Sequence, residues 1–130
     1  MSAGSRSFAE NRPFAKIFVR RAFPEGQGDG HPYQALIDTG GQVTLAHPDI
    51  AARLGLRVTD AERPIELPNG TDLATGYADL GLRVDRCHWK TLRVRIPYEW
   101  HFGDNCEAVV GMDYLSHFDF AVRRGSFGPI

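Results

Sequence analysis

Long apolar runs are missing from this chain. None of its stretches approaches the roughly 18 residues of a membrane span, so a membrane-embedded helix is not expected. The opening residues Met-Ser-Ala-Gly-Ser-Arg-Ser are polar and lack the apolar centre of a secretory signal, which makes a cytoplasmic location the default expectation. Cysteine is scarce: Cys87 and Cys106 neither demand nor exclude a disulfide, and in a reducing compartment both are expected as free thiols. An excess of one charge is missing too. Fifteen basic residues face sixteen acidic ones, for a formal net charge of −1, so no general pull toward nucleic acid or anionic lipid is expected. Lysine is nearly absent, and the thirteen arginines are scattered, with Arg20-Arg21 and Arg123-Arg124 as the only basic doublets. That is too little for a nucleic-acid footprint and is read as solvated strand faces. No internal repeat is present, so any function that needs two copies of a motif finds only one here.

What is present fits one domain. A chain of 130 residues with 42% apolar and 24% charged residues is long enough to bury a core and too apolar for disorder. Residues 1–13 are small and polar and are expected to form a loose arm, with one folded domain over 14–130. Ile17 and Val19 alternate with Lys16, Phe18 and Arg20 within a strand expected over Phe14–Phe23. A glycine- and proline-rich loop follows at 24–32, then a strand from Tyr33 to Ile37. Pro48 near the start and Gly55 at the end bracket a two-turn helix over His47–Gly55, with His47 as its entry residue. Asn69-Gly70 lies inside a strand-like pattern and predicts a type I′ hairpin turn. Alternation at Leu80, Leu82 and Val84, and again at Leu92, Val94 and Ile96, predicts a second hairpin turning over Asp85–Lys90. Residues 97–107 read as a structured loop, Val109-Val110 as a short buried strand and Gly111–His117 as a brief helix. A final strand is expected through Phe118, Phe120 and Val122. Many short strands with little helix indicate an all-β, barrel-like domain.

The most informative stretch is Ala35-Leu-Ile-Asp-Thr-Gly-Gly41, which sets one acid between an apolar strand and a glycine turn. A carboxylate at the end of a buried strand is costly unless something compensates or uses it. Asp38-Thr39-Gly40, the Asn-Gly pair about thirty residues on and Val109-Val110-Gly111 about seventy on resemble, in order and spacing, the retropepsin-like (retroviral-type) aspartic proteases. The resemblance covers roughly residues 33–122. It implies a closed β-barrel with one or two short helices, a homodimer with the active site on its two-fold axis, and peptide-bond hydrolysis with no cofactor beyond the catalytic water. Asp38 would be the catalytic acid of each subunit. Thr39 would fix the two active-site loops against each other, and Gly40 would allow the tight turn. Leu67, Asn69, Gly70 and Thr71 would belong to a flap over a peptide or protein substrate, and Val109, Val110 and Gly111 would support the catalytic loop. The strands around Ala15–Val19 and Phe118–Val122 would join the dimer seam. Position 41 is glycine where the family usually carries alanine or serine, and the tip Leu-Pro-Asn-Gly-Thr is less glycine-rich than viral flaps. These departures sustain the alternative of a catalytically weak or inactive peptide-binding module on the same dimeric fold.

Other groups carry blander readings. Asp113 is expected to cap or line the first turn of the late helix, not to act as a second catalytic acid. Cys87, His88, His101 and Cys106 match no familiar metal-ligand spacing, so no metal is expected. Trp89, Trp100 and Tyr98 are expected to pack under a loop more than to form a binding surface.

Overall fold

The computed structural model describes residues 13–22, 30–117, 120–123 and 126–129. Alternation of apolar and polar residues determines the framework. In β1 (Phe14–Arg21), Ile17 and Val19 are buried, while the residues between them face outward. In β7 (Thr75–Val84) and β8 (Lys90–Pro97), the inward set is Ala78, Leu80, Leu82, Val84, Val94 and Ile96. Each fully buried aliphatic side chain of this kind contributes about 1.5–3 kcal/mol. The two strands pair antiparallel from Thr75↔Pro97 to Leu82↔Lys90, and Asp85 begins their connecting turn with a positive φ of 44°.

The remaining barrel strands are short: β2 (Tyr33–Ile37), β3 (Leu45–Ala46) and β9 (Ala108–Val110). With β4 (Thr59–Asp60) on one edge, the main sheet runs β1-β2-β9-β3-β8-β7-β4. A further pairing of β1 with β7 closes its first six strands into a barrel. β1 therefore has two neighbours, meeting β2 from Phe14↔Leu36 to Ile17↔Tyr33 and β7 from Ile17↔Val84 to Arg21↔Leu80. Ala15–Val19, expected in a subunit seam, is thus engaged inside its own barrel, and Ile17 and Val19 lie in its core. Two small hairpins form hydrogen-bonded sheets of their own. One joins β5 (Ile65–Glu66) to β6 (Asp72–Leu73), the other β10 (Phe120–Arg123) to β11 (Ser126–Pro129). The β11 strand was not expected. Residues 1–12 of the expected arm, most of the 24–32 loop and Phe118 of the expected final strand lie outside the described residues.

Helix α1 (Pro48–Leu54) matches its expected ends: His47 Nδ1 accepts a hydrogen bond from the Asp49 N–H at 3.0 Å, and Gly55 is left-handed at φ +67°. The late helix α2 is only Met112–Leu115, shorter than the expected Gly111–His117. Tyr114 explains why it sits where it does. Its ring is fully buried, and its hydroxyl donates to the His88 carbonyl at 2.8 Å while accepting from the Val84 N–H at 3.1 Å. Among the described residues no helix is long and apolar enough to cross a membrane.

Candidate active site

β2 delivers Asp38 to the barrel end, and its position is set by backbone on both sides. The Ile37 N–H donates to the Pro13 carbonyl and the Asp38 N–H to the Val110 carbonyl, both at 2.9 Å. Parallel pairing of Leu36↔Val109 and Ile37↔Val110 brings the two distant sequence motifs side by side. Asp38 is 9% exposed, whereas Thr39 and Gly40 beside it face solvent. Its Oδ1 accepts from the Gly40 N–H at 3.1 Å, and its carbonyl accepts from the Gly41 N–H at 3.1 Å. Gly41 lies so close that a Cβ there would sit 3.0 Å from Asp38 Oδ2.

Behind this loop a polar clamp joins residues far apart in sequence. Thr44 is fully buried; its N–H donates to Asp113 Oδ2 at 3.0 Å and its hydroxyl to Asp113 Oδ1 at 2.7 Å. The same hydroxyl oxygen accepts from the Gly111 N–H at 3.2 Å, and Asp113 Oδ1 also accepts from the Tyr114 N–H at 2.8 Å. The Met112 N–H completes the contact by donating to the Gly41 carbonyl at 2.8 Å. Asp113 was expected to serve its own helix; beyond its Tyr114 contact, its carboxylate spans to the loop after Asp38. The N-cap position is Gly111, which offers no side chain. Gly111 is required by proximity, since a Cβ there would meet the Val43 carbonyl oxygen at 2.6 Å and its carbon at 2.8 Å.

The β5–β6 hairpin overhangs Asp38, and its turn corrects the type I′ expectation. Gly70 alone takes a positive φ, +84°, and Asn69 does not. The Gly70 N–H donates to the Leu67 carbonyl and the Leu67 N–H to the Thr71 carbonyl, both at 2.8 Å. This is a three-residue loop, a type I turn closed by a left-handed glycine. Pro68 explains the difference, because its fixed negative φ suits the second position of a type I turn. Asn69 Oδ1 accepts from the Thr71 N–H at 2.9 Å, a local Asx contact. At the hairpin's base, Arg95 donates from Nε to Thr75 Oγ1 at 2.8 Å and from Nη2 to the Arg63 carbonyl. The Tyr98 hydroxyl donates to Asp60 nearby, and this bond holds the Tyr98 proton and raises its pKa.

A cavity of about 600 Å³ lies between loop and hairpin, lined by Asp38, Gly40, Gly41, Leu67 and Gly70 among others. Asn69 and Thr71 instead line a neighbouring cavity of about 410 Å³ beside His101 and Phe102. Sequence reading missed Ile65, Leu45 and Phe102, which give the larger cavity apolar walls. Alternation of Val43 with Leu45 was a usable signal; Phe102, in a loop, offered none. Val109 lines the cavity directly, whereas Val110 and Gly111 act from behind it.

The described residues contain no group of three side chains able to hold a metal ion. Burial raises the Cys106 thiol's pKa, and that thiol donates to the Ala108 carbonyl at 3.2 Å; burial and then Asp85 raise that of Cys87. Trp100 packs against Phe102 and His47 and donates its N–H to the Cys106 carbonyl at 2.7 Å, whereas Tyr98 is 54% exposed.

A family model described as aspartyl protease matches residues 25–114. The chain belongs to the aspartyl protease family. Among solved structures it is similar to EIAV protease in complex with the inhibitor HBY-793, at 16% identity and a TM-score of 0.60, covering 86% of this chain and 92% of that one. It is also similar to a retropepsin-like aspartic protease from Rickettsia conorii, at 17% identity and a TM-score of 0.51, covering 86% and 76%. The retropepsin-like fold expected from the motifs is thus present in this aspartyl protease chain. No curated protein sequence matches it.

Proposed function

We propose that this aspartyl protease chain is half of an endopeptidase, completed by a second copy that brings its own Asp38. The observation that carries the reading is the placement of Asp38: nearly buried, facing a cavity under a hairpin, beside the exposed Thr39 and Gly40. A chain with one Asp-Thr-Gly supplies one carboxyl, and an isologous interface on a two-fold axis brings each residue near its own mate.

Two carboxyls held that close share one proton, because both cannot ionise comfortably. The ionised one takes a proton from water as the water oxygen bonds to the peptide carbonyl carbon. The protonated one gives its proton to the carbonyl oxygen. The resulting gem-diol collapses with cleavage of the C–N bond, and the departing amine takes a proton from the pair. Thr39 fastens one loop to the other, Gly40 supplies an N–H that orients the carboxylate, and Val109, Val110 and Gly111 hold the loop from behind. Leu67, Asn69, Gly70 and Thr71 form a flap that excludes water and pairs with the extended peptide backbone. No cofactor takes part.

The test is cleavage of a diverse peptide library across acidic to neutral pH by wild type and by Asp38→Asn. Wild type is expected to cleave with a bell-shaped pH profile. Asparagine keeps the shape but cannot share the proton, so cleavage should fall by about 10²–10⁴-fold with the dimer intact. Specific activity should also drop on dilution below the dimer's dissociation constant. A folded wild-type dimer that cleaves nothing at any pH would overturn the enzymatic reading in favour of a peptide-binding module.

A further inference from the structure

β8 holds one residue that reaches both the floor of the cleft and its cover. Arg95 lies in register with Leu45 of β3 on one side and Tyr77 of β7 on the other. Its N–H donates to the Thr44 carbonyl at 3.0 Å, one bond away from the residue that holds both Asp113 oxygens. Its half-buried side chain goes to the hairpin, where Nε donates to Thr75 Oγ1 at 2.8 Å and Nη2 to the Arg63 carbonyl.

These two acceptors are the two legs of the hairpin. Arg63 stands two residues before β5, and Thr75 two residues after β6. The register Ile65↔Leu73 and Glu66↔Asp72, carried two residues further from the tip, would set Arg63 opposite Thr75. The backbone ladder does not reach that far. Pro64 has no N–H to give, and the Thr75 carbonyl accepts from the Ala61 N–H at 3.2 Å. The guanidinium takes the place of that rung, joining one leg to the other through donors fixed in one plane. Thr75 is 3% exposed, so its hydroxyl is a fixed acceptor. Arg93, two residues back on the same strand, makes no such link: it is tied to Asp79 at 3.0 Å and stacks on Tyr77.

We propose that Arg95 is a positioning residue for the peptide, acting through the hairpin: it replaces the missing rung and so sets how the cover sits above Asp38. The inference rests on the reading of that hairpin as a flap. Strands of two residues cannot fix their own direction, so the angle at which the hairpin leaves the barrel is decided at its base. Because the backbone of the same residue bonds to Thr44, the cover and the catalytic loop are held to one strand. A lysine ammonium is a compact donor on a flexible stem and would restore the link only in part.

The test pairs hydrolysis of a peptide that wild type cleaves with amide hydrogen exchange of the free protein. Arg95→Met keeps the apolar stem and removes the donors. KM is expected to rise about tenfold with kcat within about twofold of wild type, because a loose cover weakens the hold on the peptide. Mere loss of folded protein does the reverse, lowering kcat and leaving KM alone. Amides of residues 65–73 should exchange faster, while those of Asp38 and Gly41 keep their protection. Arg95→Lys should recover part of the KM change, and Arg93→Gln should not move it. Thr75→Val removes only the hydroxyl acceptor and should raise KM by less; it carries the test should Arg95→Met fail to fold. Unchanged KM, unchanged hairpin exchange, or a loss confined to kcat would overturn the proposal. A wild type that cleaves nothing would count against the endopeptidase alone, and faster hairpin exchange in Arg95→Met would still uphold the link.

Discussion

The loop around Asp38 and the hairpin around Gly70 both turn on glycine, yet they are held in opposite ways. The Asp38 loop is fastened by partners about seventy residues away: the Val110 carbonyl, the Asp113 carboxylate and the backbone at Gly111 and Met112. The hairpin's tip is held by contacts within five residues, from Leu67 to Thr71, and by strands of two residues each. A two-stranded hairpin is marginal in water by itself, so only its base, tied down through Arg95, is strongly anchored. On the function proposed above, the difference separates two jobs. Chemistry needs a carboxylate held to a fraction of an ångström, whereas a cover has to open, and low local stability is what lets it.

That contrast is broken most severely by adding one carbon at the anchored end. Gly111→Ala would press a methyl group into the Val43 backbone, and a loss of about 1–3 kcal/mol in stability is expected, with cleavage falling alongside. Urea unfolding and peptide hydrolysis measured together check this. Asp113→Ala strips the partners from the buried Thr44 N–H and hydroxyl and should cost about 2 kcal/mol. A variant as stable as wild type would remove the clamp from the account.

Gly70→Ala probes the local end. It forces an alanine to φ +84°, a cost of about 1–2 kcal/mol borne by the hairpin alone. Global unfolding should barely change, while hydrogen exchange at Leu67 and Gly70 quickens and KM rises. The smallest effect concerns pH. Burial raises the Tyr114 hydroxyl pKa to about 12, so above the ordinary tyrosine value near 10 the unfolded chain releases a proton that the folded one keeps. Stability contributed by that group is complete below pH of about 10 and declines toward about 12. Thermal melts of Tyr114→Phe should lose this part of the alkaline decline.

Legibility followed the range of the interactions. Helix α1 was readable because proline and glycine act within a few residues, whereas the cap by His47 emerged only from the structure. The long strands β1, β7 and β8 were readable from alternation. A two-residue strand such as β4 carries no period and could not be seen. The turn at Asn69-Gly70 was placed correctly but typed wrongly, because Pro68 constrains the backbone more than the dipeptide does. In the candidate site, Asp38 and Val109-Val110-Gly111 stood out as motifs, but their clamp did not. Thr44 and Asp113 are 69 residues apart, and nothing in either one's neighbours marks the other. Phe102 enters the cavity wall from an irregular loop, where side-chain direction has no pattern to betray it.

The parallel pairing of β2 with β9 has a consequence for the timing of synthesis. The strand that carries Asp38 leaves the ribosome well ahead of the one it must lie against, by about seventy residues. At roughly 5–20 residues per second, that interval is about 4–14 s. Throughout it the Asp38 N–H lacks the Val110 carbonyl, and the clamp at Thr44 has no carboxylate. A nascent chain therefore carries its acid in unfinished surroundings. On the function proposed above, the order of translation would keep it from acting on itself or on neighbouring chains until nearly the whole barrel has emerged.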